Sequence, residues 1–534
     1  MLHFEGRQGG KENPVVLNFT EALLLFLLLL TGCQERSPYT DRKLTLDAFA
    51  NLKDEQYVLD SSLIRKNLEH IFRNDHDDCF ALKQTRRYYR EGGSLVWVHC
   101  SGLDSRADTL LAVLRKQLPE MGFNENVFIS SQIEDDMNRL RSLSFDDSNP
   151  LNLVVARLDY HLTSAYLRYV AGQRFGFVNP YFVLNRYDAR DRDTTGTVIS
   201  YRHLFDIDMD HPDASYVKRA LHRVTSDSLG LYLRQVEPTG KFYHRLQQML
   251  SSTSTSSERR KLLINMERCR WRDKLDTDKD KKYVVVNIPA FHLWAVDPDT
   301  MIDMRVACGA IKTKTPLLSS RITHMEVNPE WVIPMSIVSD EVAHHGGDSS
   351  YFARHGYYIA DKKTGQRMSP KSVTPSMLAS GKYRVAQHGG SGNSLGRIIF
   401  RFPNNFSVFL HDTSSPGAFQ RDNRGVSHGC VRVQRPFDLA AFMLGRDADE
   451  WLLDKLRISM GMKPETDQGR EYLEELDPSK PVPNLVRYLK VPSRVPIFIT
   501  YYTIFQTPDG LLSYYPDVYG YDEAIGEVLK TYIQ

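Results

Sequence analysis

Along this chain the dominant period of the apolar residues changes between residues 260 and 283, and that change limits the fold to two kinds of packed layer. Before it, apolar side chains recur at helical spacing. Leu110, Leu111, Leu114 and Leu118 form one stripe, which predicts a helix over 107–118. A second helix is expected from Leu158 to a stop before Asn179-Pro180. After the change, short β-branched and aromatic runs alternate. Tyr283–Ile288 and Phe291–Val296 read as a hairpin around Pro289-Ala290, with further strands over 405–410, 431–433 and 495–502. Leu439–Leu444 reads as a helix. The expected fold class is therefore α+β, with a mainly helical region over 34–260, a linker over 261–282 and a β-rich domain over 283–534. The Ser/Thr run 251–257 cannot bury enough surface to order itself and marks a linker or exposed loop. Between Ser339 and Lys382 the sheet pattern lapses, which points to an insertion inside the β-rich domain. His344-His345 within it reads as solvated loop.

Charge excludes one class of function. Lys and Arg number 68 against 66 Asp and Glu, so the basic excess that nucleic-acid binding needs is missing. Ala22–Leu30 is a nine-residue apolar run, too short to span a bilayer but suited to an export signal. Leu30-Thr31-Gly32-Cys33 follows and resembles a lipoprotein box. Residues 1–33 are thus expected to form a signal peptide, with Cys33 as the lipid attachment site, the chain facing the periplasm and tethered to a membrane of the cell envelope. With Cys33 lipidated and Cys430 a free thiol, Cys79, Cys100, Cys269 and Cys308 remain as buried thiols or as up to two disulfides.

Chemistry concentrates in His411-Asp412-Thr413 and Ser427-His428-Gly429-Cys430-Val431-Arg432. Free cysteine has a pKa of about 8.5, so a thiol becomes a useful nucleophile only when a neighbour takes its proton. Two strand ends joined by the loop 414–425 bring His411 to Cys430 as general base. The amides of Gly429 and Cys430 face a developing oxyanion. His411, His428 and Cys430 are also acceptable zinc ligands, but no Cys-x-x-Cys or His-x-x-x-His pair accompanies them.

Histidine followed by Ser-His-Gly-Cys-Val-Arg resembles the signature of the L,D-transpeptidases of peptidoglycan, which have the YkuD-type fold. Further blocks extend the resemblance over about residues 260–435: Asn265-Met266-Glu267-Arg268, Tyr283–Pro289, Asn328–Pro334, Tyr383–Gln387, Gly392–Gly396 and Phe402-Pro403-Asn404. These blocks are similar to the large multi-domain Gram-negative members, which implies a helical scaffold domain before residue 260 and a capping subdomain at 339–382. The resemblance implies cysteine acyl transfer through a thioester. D-alanine would leave a tetrapeptide stem and a 3→3 crosslink would form. Cys430 is then the nucleophile, His411 the acid/base, and the Asp412 carbonyl the group that orients His411. Gly429 supplies an oxyanion N–H, and Arg432, Ser427 and His428 contact substrate. No metal or organic cofactor is required. The implied partners are peptidoglycan stem peptides, the membrane through the lipid anchor, and other cell-wall enzymes. A rival reading keeps the fold without turnover, as a lipid-tethered wall-binding scaffold.

Overall fold

The structure, a computed structural model, describes residues 59–99, 102–225, 228–274 and 281–533. The expected signal 1–33 with Cys33, and Cys100, lie outside the described residues. The chain forms two compact units, 1–108 with 129–164 and 109–128 with 165–534, each taken over its described residues. This division does not follow the boundary expected at residue 260.

In the first unit, Asp60 caps the helix Ser61–Asn74 by accepting from the amides of Ser62 and Leu63. The buried Asp159 carboxylate organises the centre. It accepts from the amides of Val96 (2.9 Å), Trp97 (2.7 Å) and Val98 (3.0 Å) and from the Tyr89 hydroxyl. Burial pushes its carboxyl up, and these donors pull it back. Trp97 is fully buried and its indole N–H donates to Thr163 Oγ1 at 3.0 Å. Trp97 and Tyr89 are therefore core.

The expected helices are present as Arg106–Glu120 and Leu151–Phe175. The linker expected over 261–282 is not what the second unit contains. Ser256–Arg270 is a helix, and the Ser/Thr run shrinks to a turn at 253–255 after the helix Lys241–Ser252. Leu262, Leu263 and Met266 pack with Tyr243, Leu246 and Leu250, while Arg270 Nη2 donates to Tyr243 Oη at 2.8 Å. Tertiary burial overrides the weak local signal of the polar run.

Eight strands form the centre of this unit: β1 Tyr283–Asn287, β2 His292–Asp297, β3 Thr300–Gly309, β4 Leu317–Val327, β5 Ile398–Arg401, β6 Leu410–His411, β7 Val431–Val433 and β8 Tyr488–Thr500. They pair in the order β5-β6-β7-β3-β2-β1-β8-β4, and β4 pairs with β5, so the sheet closes into a barrel. Closure explains the strong apolar alternation, because inward residues such as Val284, Val286, Leu293, Met304, Phe400, Leu410, Val431 and Ile497 fill one core. β6–β7 and β8–β1 are parallel and their neighbours in the ring antiparallel.

One expected strand is mostly absent. Asn404 Oδ1 accepts from the amides of Phe406 (3.0 Å) and Val408 (3.1 Å), and Ser407 takes a positive φ of 55°. An asparagine-capped turn thus replaces the strand over 405–409 and leaves Leu410–His411.

The insertion is an ordered body wider than 339–382. Strands Trp331–Val332, Tyr383–Gln387, Tyr357–Asp361 and Arg367–Met368 form a separate sheet. Ile333, Val338, Phe352, Ile359, Leu378 and Val385 give it its own core. His345 stacks on Tyr351 with ring centroids 3.8 Å apart.

Candidate active site

His411 ends β6 and Cys430 directly precedes β7. In the parallel register Leu410 faces Val431 and His411 faces Arg432, so His411, Arg432 and, two residues back, Cys430 share one face. The His411 half is tightly fixed. His411 Nδ1 lies 2.5 Å from the Asp412 carbonyl oxygen, which only accepts, so Nδ1 carries the proton and Nε2 the lone pair of the neutral ring. Asp412 is itself held, its amide donating to Ile398 O (3.0 Å) and its Oδ2 accepting from the Arg397 amide (2.8 Å). Gly396 permits this approach. Its φ is +67°, and a Cβ there would sit 2.4 Å from Asp412 Cγ.

The electrostatics favour neutral partners at rest. Burial and the nearby Arg432 charge lower the His411 pKa to about 4, against a smaller upward pull from the Asp412 and Leu395 backbone. Burial pushes the half-buried Cys430 thiol up, opposed by the Phe409 backbone and by the charges of Arg401 and Arg432. The thiol's hydrogen-bond partner is the Ser407 carbonyl oxygen at 3.9 Å, not the imidazole.

Several sequence-assigned groups are engaged otherwise than expected. The Gly429 amide was expected in the oxyanion hole, yet it donates to Ser427 Oγ at 3.2 Å, with φ +119° at Gly429. Ser427, expected to meet substrate, is buried, and its hydroxyl donates to the Cys430 carbonyl at 2.5 Å. Together these bonds close a tight turn, which consumes both groups. Among the described residues nothing accepts from the Cys430 amide, so of the two N–H groups it is the one left open. His428 is exposed and its Nε2 meets Glu341 Oε1 of the insertion at 2.6 Å.

Arg432 makes no ion pair among the described residues, and its Nε is buried without a hydrogen-bond partner. Burial lowers its pKa, and a Cys430 thiolate would raise it. A half-buried guanidinium with an open donor suits an incoming carboxylate.

The sequence reading missed the residues that hold the turn from behind. Thr313 Oγ1 donates to Ser427 O (2.7 Å) and Thr315 Oγ1 to Gly429 O (2.8 Å). Arg401, whose Nε donates to Glu326 Oε1 at 3.1 Å, lies over the Phe409 ring and adds positive charge near the thiol. Local spacing carries no signal for either, since both act across strands. Cys269 and Cys308 are free, and burial pushes their thiols up to about 12.

Residues 281–448 match the family model of the YkuD L,D-transpeptidase catalytic domain, and residues 83–250 match that of the Scaffold domain. The protein thus carries an L,D-transpeptidase catalytic domain together with a Scaffold domain. It is also similar to a Haemophilus influenzae protein titled "Putative L,D-transpeptidase", with 27% identity over 336 residues. That match covers 60% of this chain and 62% of the relative's length.

Proposed function

We propose that this protein is an L,D-transpeptidase that forms 3→3 crosslinks in peptidoglycan through a thioester on Cys430. The observation that carries this reading is one strand pair, which sets a tautomer-locked imidazole, a cysteine with an open backbone amide and an unpaired arginine on one face.

The donor's third stem residue, a diacid such as meso-diaminopimelate, presents its carbonyl carbon to Cys430 Sγ. Rotation of the thiol away from Ser407 O brings its proton to His411 Nε2. Such bonds commonly tighten only when substrate is bound. The C–S bond forms, the oxyanion takes the Cys430 amide, and a stem carboxylate pairs with Arg432. The C–N bond to D-alanine then breaks as His411 returns the proton to the leaving amine. An acceptor amine attacks the thioester and gives up a proton through His411. A new amide forms and the thiol is restored. Thr315 and Ser427 act behind this centre and do not meet substrate. A lipid on Cys33 would hold the enzyme at a periplasm-facing membrane surface beside its polymer.

Incubation of the full chain with tetrapeptide-bearing muropeptides tests the reading. Dimers linked between two third-position residues, with equimolar free D-alanine, are expected. Dimers whose donor carbonyl belongs to the fourth residue would contradict it.

A further inference from the structure

The loop between β3 and β4 folds back on itself and then onto the catalytic turn. Gly309 marks the reversal, because a Cβ there would lie 2.0 Å from Thr313 O. Thr315 is fully buried at the junction. Its hydroxyl accepts from the Gly309 amide (2.8 Å) and donates to Gly429 O (2.8 Å), so both its bonds are spent on backbone. Tyr519 Oη closes the loop by accepting from the Thr315 amide (3.1 Å) and donating to Gly309 O (2.6 Å). Between the two threonines, Lys314 is 5% exposed at its side chain and reaches Asp188 Oδ1 at 2.5 Å. Its ammonium lies 5.0 Å from the Tyr187 ring centroid. Asp188 and Tyr187 belong to the stretch that matches the Scaffold domain.

We propose that Thr315 is a positioning residue for acyl transfer, and that the Asp188–Lys314 pair ties it to the Scaffold-matching segment. The Gly429 carbonyl and the Cys430 amide belong to one peptide plane. The bond from Thr315 to that carbonyl therefore aims the amide at the place where the oxyanion develops. Thr313 fixes the other end of the turn through Ser427 O. Losing the Thr315 bond frees the plane to rotate. Losing the Asp188 carboxylate leaves a buried ammonium unpaired and loosens the loop that carries Thr315. This inference rests on the reading of Cys430 as the acylated nucleophile.

The test measures acylation of Cys430 in the full chain by a carbapenem, followed by mass spectrometry, with Thr315→Val, Thr315→Ser and Asp188→Asn. Amide exchange of the 425–433 peptide is followed in parallel. Thr315→Val is expected to lower the limiting acylation rate on the order of tenfold to a hundredfold, the scale of a misaimed reacting group. The concentration for half-maximal rate should stay within about twofold, and exchange at the turn should quicken. Thr315→Ser, which keeps the hydroxyl, restores the rate, whereas a role in side-chain packing alone would be served equally by valine. Should Thr315→Val fail to fold, Asp188→Asn carries the test, with a smaller rate loss and the same faster exchange. Wild-type rates in folded Thr315→Val or Asp188→Asn would overturn the inference and leave the transpeptidase reading standing. An unmodified Cys430 in the unsubstituted protein would overturn both.

Discussion

The two halves of the site are built on opposite terms. Around His411 the polar groups are spent: Nδ1 on the Asp412 carbonyl, the Asp412 amide on Ile398, its carboxylate on Arg397. Around Cys430 they are open: a thiol 3.9 Å from its acceptor, an amide with no acceptor among the described residues, and an arginine Nε buried alone. An unsatisfied buried donor costs about 1–3 kcal/mol, so the vacancy at Arg432 Nε is stability given up on the Cys430 side. On the proposed reading, a substrate that brings a carboxylate to Arg432 recovers that cost. On that same reading, the base is preorganised by the protein and the nucleophile is completed by what binds.

Substitutions on either side should separate the halves. Cys430→Ala has the largest expected effect, complete loss of the acyl adduct with an unchanged melting curve. Next is Gly396→Ala on the base side. Its Cβ would collide with Asp412, 2.4 Å away, at a φ of +67°. Displacing the Asp412 carbonyl frees the imidazole, and single-turnover acylation should fall about a hundredfold. The strain should cost about 1–3 kcal/mol in urea unfolding.

Arg432→Gln should act on the open half and leave folding almost untouched. With a tetrapeptide donor, the substrate concentration for half-maximal rate should rise about tenfold or more, as one charge-assisted pair is lost. Removing that charge also lets the Cys430 pKa rise further, because Arg432 now pulls it down. The midpoint of iodoacetamide alkylation against pH should therefore move to higher pH. A move to lower pH would break the comparison.

The buried imidazole also ties stability to pH. Its pKa is about 4 in the folded protein and about 6.5 in an unfolded chain. Above pH ~6.5 neither state binds this proton, and the contribution is complete. As pH falls towards 4 the unfolded chain binds it and the folded protein does not, so stability is lost, on the order of 3 kcal/mol in total. Urea midpoints at pH 7 and pH 5 should differ less in His411→Gln than in the unsubstituted protein. The smallest effect is expected from Glu341→Gln. The 2.6 Å pair with His428 is about half exposed on both sides and worth no more than about 1 kcal/mol. Faster amide exchange in 331–387 should be its clearest trace.

What could be read before folding follows from range along the chain. The β1–β2 hairpin was visible because its alternation and turn are adjacent. Barrel closure was not, since β8 meets β1 through pairs such as Ile497 with Val284, more than two hundred residues apart. His411 and Cys430 stood out because their chemistry is concentrated in one short segment. Thr315 and Glu341 did not, because they reach the turn from 114 and 87 residues away. Gly429 and Ser427 are engaged otherwise than expected for a local reason. A glycine beside a nucleophile offers its amide to an oxyanion only if no nearer acceptor takes it, and here the Ser427 hydroxyl does. The helix Ser256–Arg270 was hidden by the polar run at its start, although Leu262, Leu263 and Met266 were in the sequence to suggest it.

The most direct test of the central claim is the mass of the tryptic peptide containing Cys430 after rapid quenching at low pH, with a tetrapeptide muropeptide as donor and no acceptor amine. A covalent adduct equal to the donor less D-alanine, on Cys430 and lost on treatment with hydroxylamine, is the expected result. Release of D-alanine with Cys430 unmodified at every quench time, and undiminished by Cys430→Ala, would contradict it.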